Sequence, residues 1–447
     1  MKLYKNIIII SVVIIALVGA FLAVYFMMPG EETPPVVENS EIETITVFNV
    51  DSDSVTKISV KSQEEEYYIT KNGDEWTLSG ESGLNVSKTK MQSLVYVTSS
   101  VSATKIISEN SQDAEKFGFN VNSSSITVYT RDGNSKTLLI GDTTLDKENV
   151  YIKLSDEDTI YLKSASGIKS LIPDYKSFIN MELVSVDLSN LSLLTHVYIE
   201  KDGNTPIKLE YTEVDEGSRA WRMLSPVYAE VNGQVLSDNV LTNISEFKAS
   251  QIAEAHPDDI SLYGFDKPYA EFSIGYDQKT TKLIFGDEYN GYRFVMISGF
   301  DTVYMVKTSE LDFLDVPYQN LMSRLIHVEY LDKISKVEVT TKDESILMEA
   351  NESSYRINGQ EIEKSRFSKA YQAIIGISLD SVDLSPATNV TPDVTIKYTR
   401  KDGSVAKVDF ISVSERNYRA LVDGKGNCIA AKKNVTEAIE FVLSTLN

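Results

Sequence analysis

Apolar and polar residues alternate over short stretches along most of this chain, which is the pattern of strands with one buried face. The clearest case is residues 57–78, KISVKSQEEEYYITKNGDEWTL, where the alternation breaks at Asn72 and Gly73. An Asn-Gly pair between two alternating runs is a strong signal for a tight hairpin turn. The pattern therefore predicts antiparallel strands joined at this turn.

The period changes after Ser87, from alternation to helical spacing. A helix is predicted from Ser87, a favoured N-cap residue, to about Ile107, with its apolar face formed by Met91, Leu94, Val95 and Val101. Four short strands follow in the prediction, with a turn at residues 131–134. Residues 165–172, ASGIKSLI, predict a short closing helix.

These landmarks recur at a fixed period, which indicates an internal repeat. Trp76 and Trp221, the only two tryptophans, are 145 residues apart, and so are Gly141 and Gly286. A third and more divergent copy follows, in which Tyr355 replaces the tryptophan and residues 394–410 resemble residues 126–140. We interpret the chain as one building block used three times.

Each block reads βββ-α-ββββ-α, and strands joined by tight turns must be antiparallel. The predicted fold class is α+β, an N-terminal transmembrane helix followed by three tandem antiparallel β-meander and helix repeats. The predicted segments are 1–28 (cytoplasmic tip and transmembrane anchor), 29–42 (Pro/Glu-rich linker), 43–180 (repeat 1), 181–322 (repeat 2) and 323–447 (divergent repeat 3).

A turn of the type aromatic-Gly-Phe, called the GF turn below, occurs in the first two repeats. It consists of Phe117, Gly118 and Phe119 in repeat 1, and of Tyr263, Gly264 and Phe265, followed by Asp266 and Pro268, in repeat 2. Its glycine can adopt the positive φ that a sharp turn requires, and its rings can fill the gap between helix and sheet. A structural role is the main interpretation, and contact with a ligand is the alternative.

The first thirty residues carry the strongest single signal. Residues 7–28 contain no charged side chain and, as a helix, would span about 33 Å, enough to cross a bilayer core of about 30 Å. Lys2 and Lys5 precede this run, and Glu31 and Glu32 follow it, so the N-terminus is predicted to be cytoplasmic and the bulk of the chain extracytoplasmic. A cleaved signal peptide is the alternative, although its apolar region would be shorter.

The composition argues against some classes of partner and site. The net charge of −22 disfavours nucleic acid, so membrane lipid, contacted through residues 7–28, and an envelope protein are the expected partners. Because Cys428 is the only cysteine, an intramolecular disulfide and a four-cysteine zinc site are impossible.

No recognised catalytic motif is present. The chain has no G-x-S-x-G, phosphate-binding loop, H-E-x-x-H or dinucleotide fingerprint, and its Ser-x-x-Lys tetrads occur at the frequency of chance. Two acid-rich stretches, VDSDS at residue 50 and SDEDT at residue 155, lack the glycine and distal glutamate of a calcium-binding EF-hand. His196 and His327 are expected to be structural, and His256, near Asp258 and Asp259, is a weak metal candidate. No catalytic, cofactor-binding or metal-ligating residue is therefore predicted.

The quoted landmarks resemble a bacterial family of membrane-anchored domains of unknown function. The resemblance rests on the tryptophan strand, on YGFDKP at residues 263–268 and on LIFGD at residues 283–287, and it covers about residues 43–447. Members are often encoded beside ABC-type transporter components of the gliding-motility kind. The resemblance thus implies an accessory role at an envelope complex, and it supplies no catalytic residues.

These observations together predict a non-enzymatic, single-pass membrane protein that scaffolds an envelope or ABC-transporter-type complex. One alternative is an extracytoplasmic module that captures a peptide or glycan between repeats. An enzyme of unrecognised type is the third possibility.

Overall fold

The computed structural model describes residues 44–110, 112–215, 218–351, 354–385 and 391–446. The chain divides into two compact units. Unit 1 contains residues 1–79 and 88–174, and unit 2 contains residues 80–87 and 175–447. The predicted apolar span 7–28 and linker 29–42 lie outside the described residues.

The described residues of unit 1 form ten strands, which make a two-stranded and an eight-stranded antiparallel sheet. The strands are β1 (Ile45–Asn49), β2 (Val55–Lys61), β3 (Glu66–Asn72), β4 (Glu75–Leu78), β5 (Ser100–Ala103), β6 (Lys105–Ser108), β7 (Ser124–Thr130), β8 (Ser135–Thr143), β9 (Asn149–Leu154) and β10 (Ile160–Ser164). The small sheet pairs β1 with β5, and the large sheet has the order β4-β3-β2-β7-β8-β9-β10-β6.

Unit 2 contains two nine-stranded antiparallel sheets. The first, of order β14-β13-β12-β11-β16-β17-β18-β19-β15, is built from β11 (Leu194–Lys201), β12 (Ile207–Asp215), β13 (Ser218–Ser225), β14 (Ala229–Glu230), β15 (Gln251–Glu254), β16 (Ala270–Tyr276), β17 (Lys279–Tyr289), β18 (Tyr292–Ile297) and β19 (Val303–Lys307). The second, of order β23-β22-β21-β20-β25-β26-β27-β28-β24, is built from β20 (Ile334–Thr340), β21 (Ser345–Ala350), β22 (Tyr355–Ile357), β23 (Gln360–Glu361), β24 (Ser381–Val382), β25 (Val394–Arg400), β26 (Val405–Ser412), β27 (Asn417–Val422) and β28 (Lys425–Ala431).

The three large sheets have one topology, so the internal repeats are real structural repeats. In each sheet, the first N-terminal strand pairs with the first strand of the four-stranded meander, and a short strand that follows the helix forms the far edge. Repeats 2 and 3 add a two-residue strand, β14 or β23, beyond the tryptophan or tyrosine strand. Repeat 1 has no counterpart of it among the described residues.

Helices in the described part of the chain are few and short. The α-helical segments are Lys88–Ser99 and Ala165–Leu171 in unit 1, and Gly233–Leu236, Thr242–Ile244, Tyr318–Leu321, Lys364–Ile375 and Lys432–Ser444 in unit 2. A π-helical stretch, Ser237–Leu241, joins two of these segments. In repeat 1 the buried face of the helix is formed by Met91, Leu94 and Val95, as its spacing predicts.

The two repeats of unit 2 share one continuous hydrophobic core. It extends from Val197 and Phe272 in repeat 2 to Val337 and Val442 in repeat 3. On each large sheet, buried residues recur along the strands at the period expected for one buried face. In β2 the buried residues are Val55, Ile58 and Val60, and in β20 they are Ile334, Val337 and Val339. One sheet face therefore carries the core side chains.

The predicted α+β class was wrong, because the described chain is mostly β, with four antiparallel sheets and short helices. The error lies partly in residues 100–108, which were assigned to the first helix. These residues form β5 and β6, since burial alternates every second residue from Ser100 to Ala103. No helix among the described residues has the length and apolar character needed to cross a membrane.

Candidate interaction surface

The GF turn of repeat 1 packs directly on Gly141, near the end of β8. Phe117 ends a 3₁₀ turn, and Gly118 caps it with φ of 85°, a left-handed conformation that favours glycine. A Cβ atom placed on Gly141 would lie 2.2 Å from the carbonyl oxygen of Phe117 and 3.1 Å from the ring of Phe119. Gly141 therefore lets two loops meet, and Phe119 is buried at that junction.

Repeat 2 builds the same junction from its own residues. Gly264 has φ of 79°, and a Cβ atom on Gly286 would lie 2.0 Å from the carbonyl oxygen of Tyr263 and 3.1 Å from the Phe265 ring. Asp266 and Pro268 then lead the chain towards β16, which begins at Ala270. Two landmarks that are far apart in sequence are thus in contact, in the same way, in both repeats.

An aromatic ladder continues this junction in repeat 2. The Tyr263 ring meets the Phe294 ring edge-on at 4.9 Å, and Phe294 stacks with Tyr289 at 6.5 Å. The Tyr263 hydroxyl donates a hydrogen bond to the Glu254 carboxylate, which, together with burial, raises the pKa of Tyr263 to about 12. The ladder runs from the buried Phe265 to the exposed Tyr289.

Repeat 3 joins the corresponding loops by charge, because it lacks the GF turn. The buried Arg419 guanidinium on β27 donates to the Asp383 carboxylate, and also to the Ser385 carbonyl oxygen at 3.0 Å. The Asp393 carboxylate accepts a hydrogen bond from the Ser412 N–H at 3.1 Å. We call each of these loop pairs a corner: residues 113–123 with 141–149, 257–268 with 286–292, and 383–385 and 391–393 with 412–417.

Exposed apolar side chains concentrate at the three corners. Seven of the sixteen large apolar side chains exposed in the described residues lie there, namely Val121, Leu145, Ile260, Leu262, Tyr289, Leu384 and Val413. Val121 is 91% exposed and Leu262 is 76% exposed. Scattered single apolar residues are normal on a surface, but their recurrence at one place in three repeats indicates a shared interaction surface.

Acidic residues outnumber basic residues in the first two corners. In the corners of repeats 1 and 2 the acidic residues are Asp113, Glu115, Asp142, Asp146 and Glu148, and Asp258, Asp259, Asp266, Asp287 and Glu288. Only Lys116 and Lys147, and Lys267 together with Arg293 of the adjoining β18, offset them. Hydrogen bonds from the Thr144 hydroxyl and the Glu148 N–H hold the pKa of Asp146 below its usual value, and bonds from Ser261 do the same for Asp259.

A buried charge cluster lies at the junction of repeats 2 and 3. Nδ1 of His327 lies 3.0 Å from Glu230 on β14, and Nε2 lies 3.0 Å from Glu329. Arg400 holds Glu329 through two of its nitrogen atoms, and the Tyr371 hydroxyl donates to the Glu329 carbonyl oxygen at 2.8 Å. The cluster of two cations and two anions is neutral, so it places no net charge in the junction.

The protonation of His327 follows from these contacts. Burial by itself lowers the pKa of His327, but the hydrogen bonds and charges of Glu230 and Glu329 outweigh burial and raise it to about 9. Burial raises the pKa of Glu329, and its bonds to His327 and Arg400 outweigh that effect and lower it. The cavity beside His327 measures only about 10 Å³, too small for a ligand, so the cluster is a structural contact.

The other residues that the sequence analysis singled out lie in strands, turns or backbone contacts of the fold. His196 lies on β11, and the His256 ring lies 3.2 Å from the Gly80 carbonyl oxygen. Asp51 caps a 3₁₀ turn, and burial raises the pKa of the Cys428 thiol to about 11. Among the described residues, no three His, Cys, Asp or Glu side chains are grouped to hold a metal ion. No sequence motif pointed to Glu230, Glu329 or Arg400, because these residues are far apart in the chain.

A family model described as a domain of unknown function, DUF4340, matches residues 76–238 and 221–391, which together cover more than half of the chain. The chain belongs to the DUF4340 family. Both matches begin at a tryptophan, Trp76 or Trp221, so the family domain recurs at the period of the structural repeat. Each DUF4340 match starts at the third strand of one repeat and extends into the next. No curated protein and no solved structure is detectably similar to the chain.

Proposed function

We propose that this DUF4340 protein is a non-enzymatic scaffold on the extracytoplasmic side of a cell membrane, where its corners dock protein components of an envelope complex. The observation that carries the proposal is the recurrence of exposed apolar side chains at the corner of each repeat. A repeated surface suits a partner that is contacted more than once along the chain.

The charges at the corners define the chemistry of the partner. Because acidic residues outnumber basic ones in the first two corners, the partner presents apolar anchors within a basic rim. The same carboxylates, and the net charge of −22, oppose contact with anionic lipid headgroups. The partner is therefore a protein, and the family resemblance favours a subunit of an ABC-type exporter.

The location rests on the sequence of residues 7–28, which carry no charge and are preceded by lysines. Protease added to intact spheroplasts should digest the bulk of the chain, and carbonate washing should leave it in the membrane fraction. Digestion only after lysis would contradict this placement.

Photo-crosslinking tests the docking role directly. A photoreactive phenylalanine analogue is placed at Leu145, Leu262 or Val413 in the full-length chain in cells. Matched control positions are Tyr129, Val405 and Phe441, which are exposed but lie outside the corners. The proposal requires the corner positions to crosslink to one protein with a basic contact surface, and the controls not to do so.

A second measurement separates docking from chance proximity. Replacing Leu145, Leu262 and Val413 together with serine should release the crosslinked partner during mild detergent extraction. The control variant replaces Tyr129, Val405 and Phe441 with serine. Equal retention of the partner by both variants, or crosslinks to lipid alone, would exclude the corners as the docking surface.

A further inference from the structure

A second surface feature, separate from the corners, lies within unit 1. It is a groove of about 610 Å³ between the helices Lys88–Ser99 and Ala165–Leu171, and it is also lined by Asn49, Val50 and Ser52. Its volume falls within the range of small-molecule sites, about 300–1,000 Å³. Its only charged lining residue is Lys163, and none of its lining residues is a carboxylate.

Lys163 is half-buried, and its charge is not balanced within the described residues. Its ammonium group donates one hydrogen bond, to the Ser102 carbonyl oxygen at 2.8 Å. None of the ion pairs among the described residues includes it, and burial lowers the pKa of Lys163. Because an ammonium group has three donors, two remain for a further partner.

Repeat 2 has no lysine at the position that matches Lys163. Lys163 on β10 lies opposite Val150 of β9, and the residue in the same register of repeat 2 is Val306, opposite Arg293 of β18. Val306 is fully buried, so a lysine at this position is a feature of repeat 1.

Gly167 makes room for the lysine in this position. A Cβ atom on Gly167 would lie 3.0 Å from Cε of Lys163, so the lysine stem lies across the start of the short helix. The same groove is lined by three serines that are not buried, Ser52, Ser100 and Ser170. The ring of Tyr96, 73% exposed, stands at the groove and offers an aromatic face.

From this geometry we infer that the groove binds a small saccharide that carries one carboxylate, such as a hexuronic acid, with Lys163 as the anion-binding residue. One ammonium group balances one carboxylate, whereas a dianionic phosphate would leave a negative charge uncompensated in the groove. The serine hydroxyls suit the sugar hydroxyls, and the Tyr96 ring suits the apolar face of a sugar ring. This site is independent of the corners.

Isothermal titration of the purified full-length chain with glucuronate tests the inference. Binding is expected, and Lys163→Met should weaken it about tenfold or more, because the charge-assisted bonds are lost. Lys169→Met, at an exposed position of the helix Ala165–Leu171, is the matched control and should bind as the parent chain does. Glucose, which lacks the carboxylate, should bind at least about tenfold more weakly than glucuronate.

A second variant keeps the test informative if Lys163→Met does not fold. Ser170→Glu places a carboxylate in the lining of the groove that holds Lys163, so it should abolish glucuronate binding while the circular dichroism spectrum and melting temperature are retained. Glucuronate binding that survives Ser170→Glu in a folded chain would overturn the inference. So would equal binding of glucose, or tighter binding of glucose 6-phosphate, which would indicate a phosphate site.

Discussion

The imidazole of His327 lies 3.0 Å from the carboxylate of Glu230, a residue of the preceding repeat. With Glu329 on its other nitrogen, His327 is held as a cation between two anions in a buried site. This contact joins repeats 2 and 3 by charge at a place where their hydrophobic cores are also continuous.

Replacing His327 with glutamine should therefore destabilise unit 2 by about 3 kcal/mol, because two buried carboxylates lose their shared cation. Urea unfolding, followed by the fluorescence of Trp221 in a Trp76→Phe background, measures the change. His196→Gln on β11 is the control, since that side chain is only half-buried, and it should cost less than about 1 kcal/mol. Equal losses would show that the charge cluster is unimportant.

The stability of unit 2 should fall as the pH rises above neutrality. The pKa of His327 is about 9 in the folded chain and about 6.5 in the unfolded chain. Because the folded pKa is the higher one, the contribution is complete below pH 6.5, declines above it and is lost as the pH passes about 9. Urea midpoints measured from pH 6 to pH 9.5 should show this decline, and His327→Gln should remove it.

The contact between Gly286 and Tyr263 predicts a steric effect of a single methyl group. Gly286→Ala would place a Cβ atom 2.0 Å from a backbone oxygen, so about 2–3 kcal/mol of destabilisation is expected. Gly203→Ala is the control, because Gly203 has φ of 79° but open space around it, and the backbone strain alone should cost about 1 kcal/mol. Trp221 fluorescence in urea compares the two variants. A smaller loss in Gly286→Ala than in Gly203→Ala would contradict the close packing of the corner.

In the third corner, the charged contacts of Arg419 take the place of the aromatic packing in the other two corners. Arg419→Lys should destabilise repeat 3 by about 1.5–3 kcal/mol, because an ammonium group cannot reach both Asp383 and Ser385 as the planar guanidinium does. Hydrogen exchange of residues 412–417 should rise in this variant. Arg416→Lys, on the exposed hairpin, is the control and should leave both stability and exchange unchanged.

The repeat was visible in the sequence because its landmarks are local. Trp76, Gly118 and Gly141 recur at one period, and a fixed period requires only that each copy keeps its turns and core positions. The sequence could not show that Gly141 and Phe117 touch, because that contact joins two loops across the fold. The tandem copies could therefore be predicted from the sequence, whereas the steric need for a glycine at position 141 could not.

The misassigned residues 100–108 show where local spacing misled. Val101 continues the helical spacing of Met91 and Leu94, but it is buried by pairing of β5 with β1, a strand about fifty residues earlier. Periodicity alone cannot separate a short buried strand from the last turns of a helix. Lys163 was missed for a related reason, since a lysine that has no carboxylate beside it is recognised only when its neighbours in space are known.

The common topology of the three sheets has a consequence for how the chain reaches its folded state. Each sheet closes when two distant strands pair, with Ile58 opposite Val128, Val197 opposite Ile274 and Val337 opposite Tyr398. A newly made chain thus contains three N-terminal strands, β2, β11 and β20, and three meander strands, β7, β16 and β25, of similar shape. Pairing between strands of different repeats would trap a domain-swapped form. The sequence divergence of the third copy and the different lengths between closing strands reduce that hazard, so making the copies more alike should lower the yield of refolding.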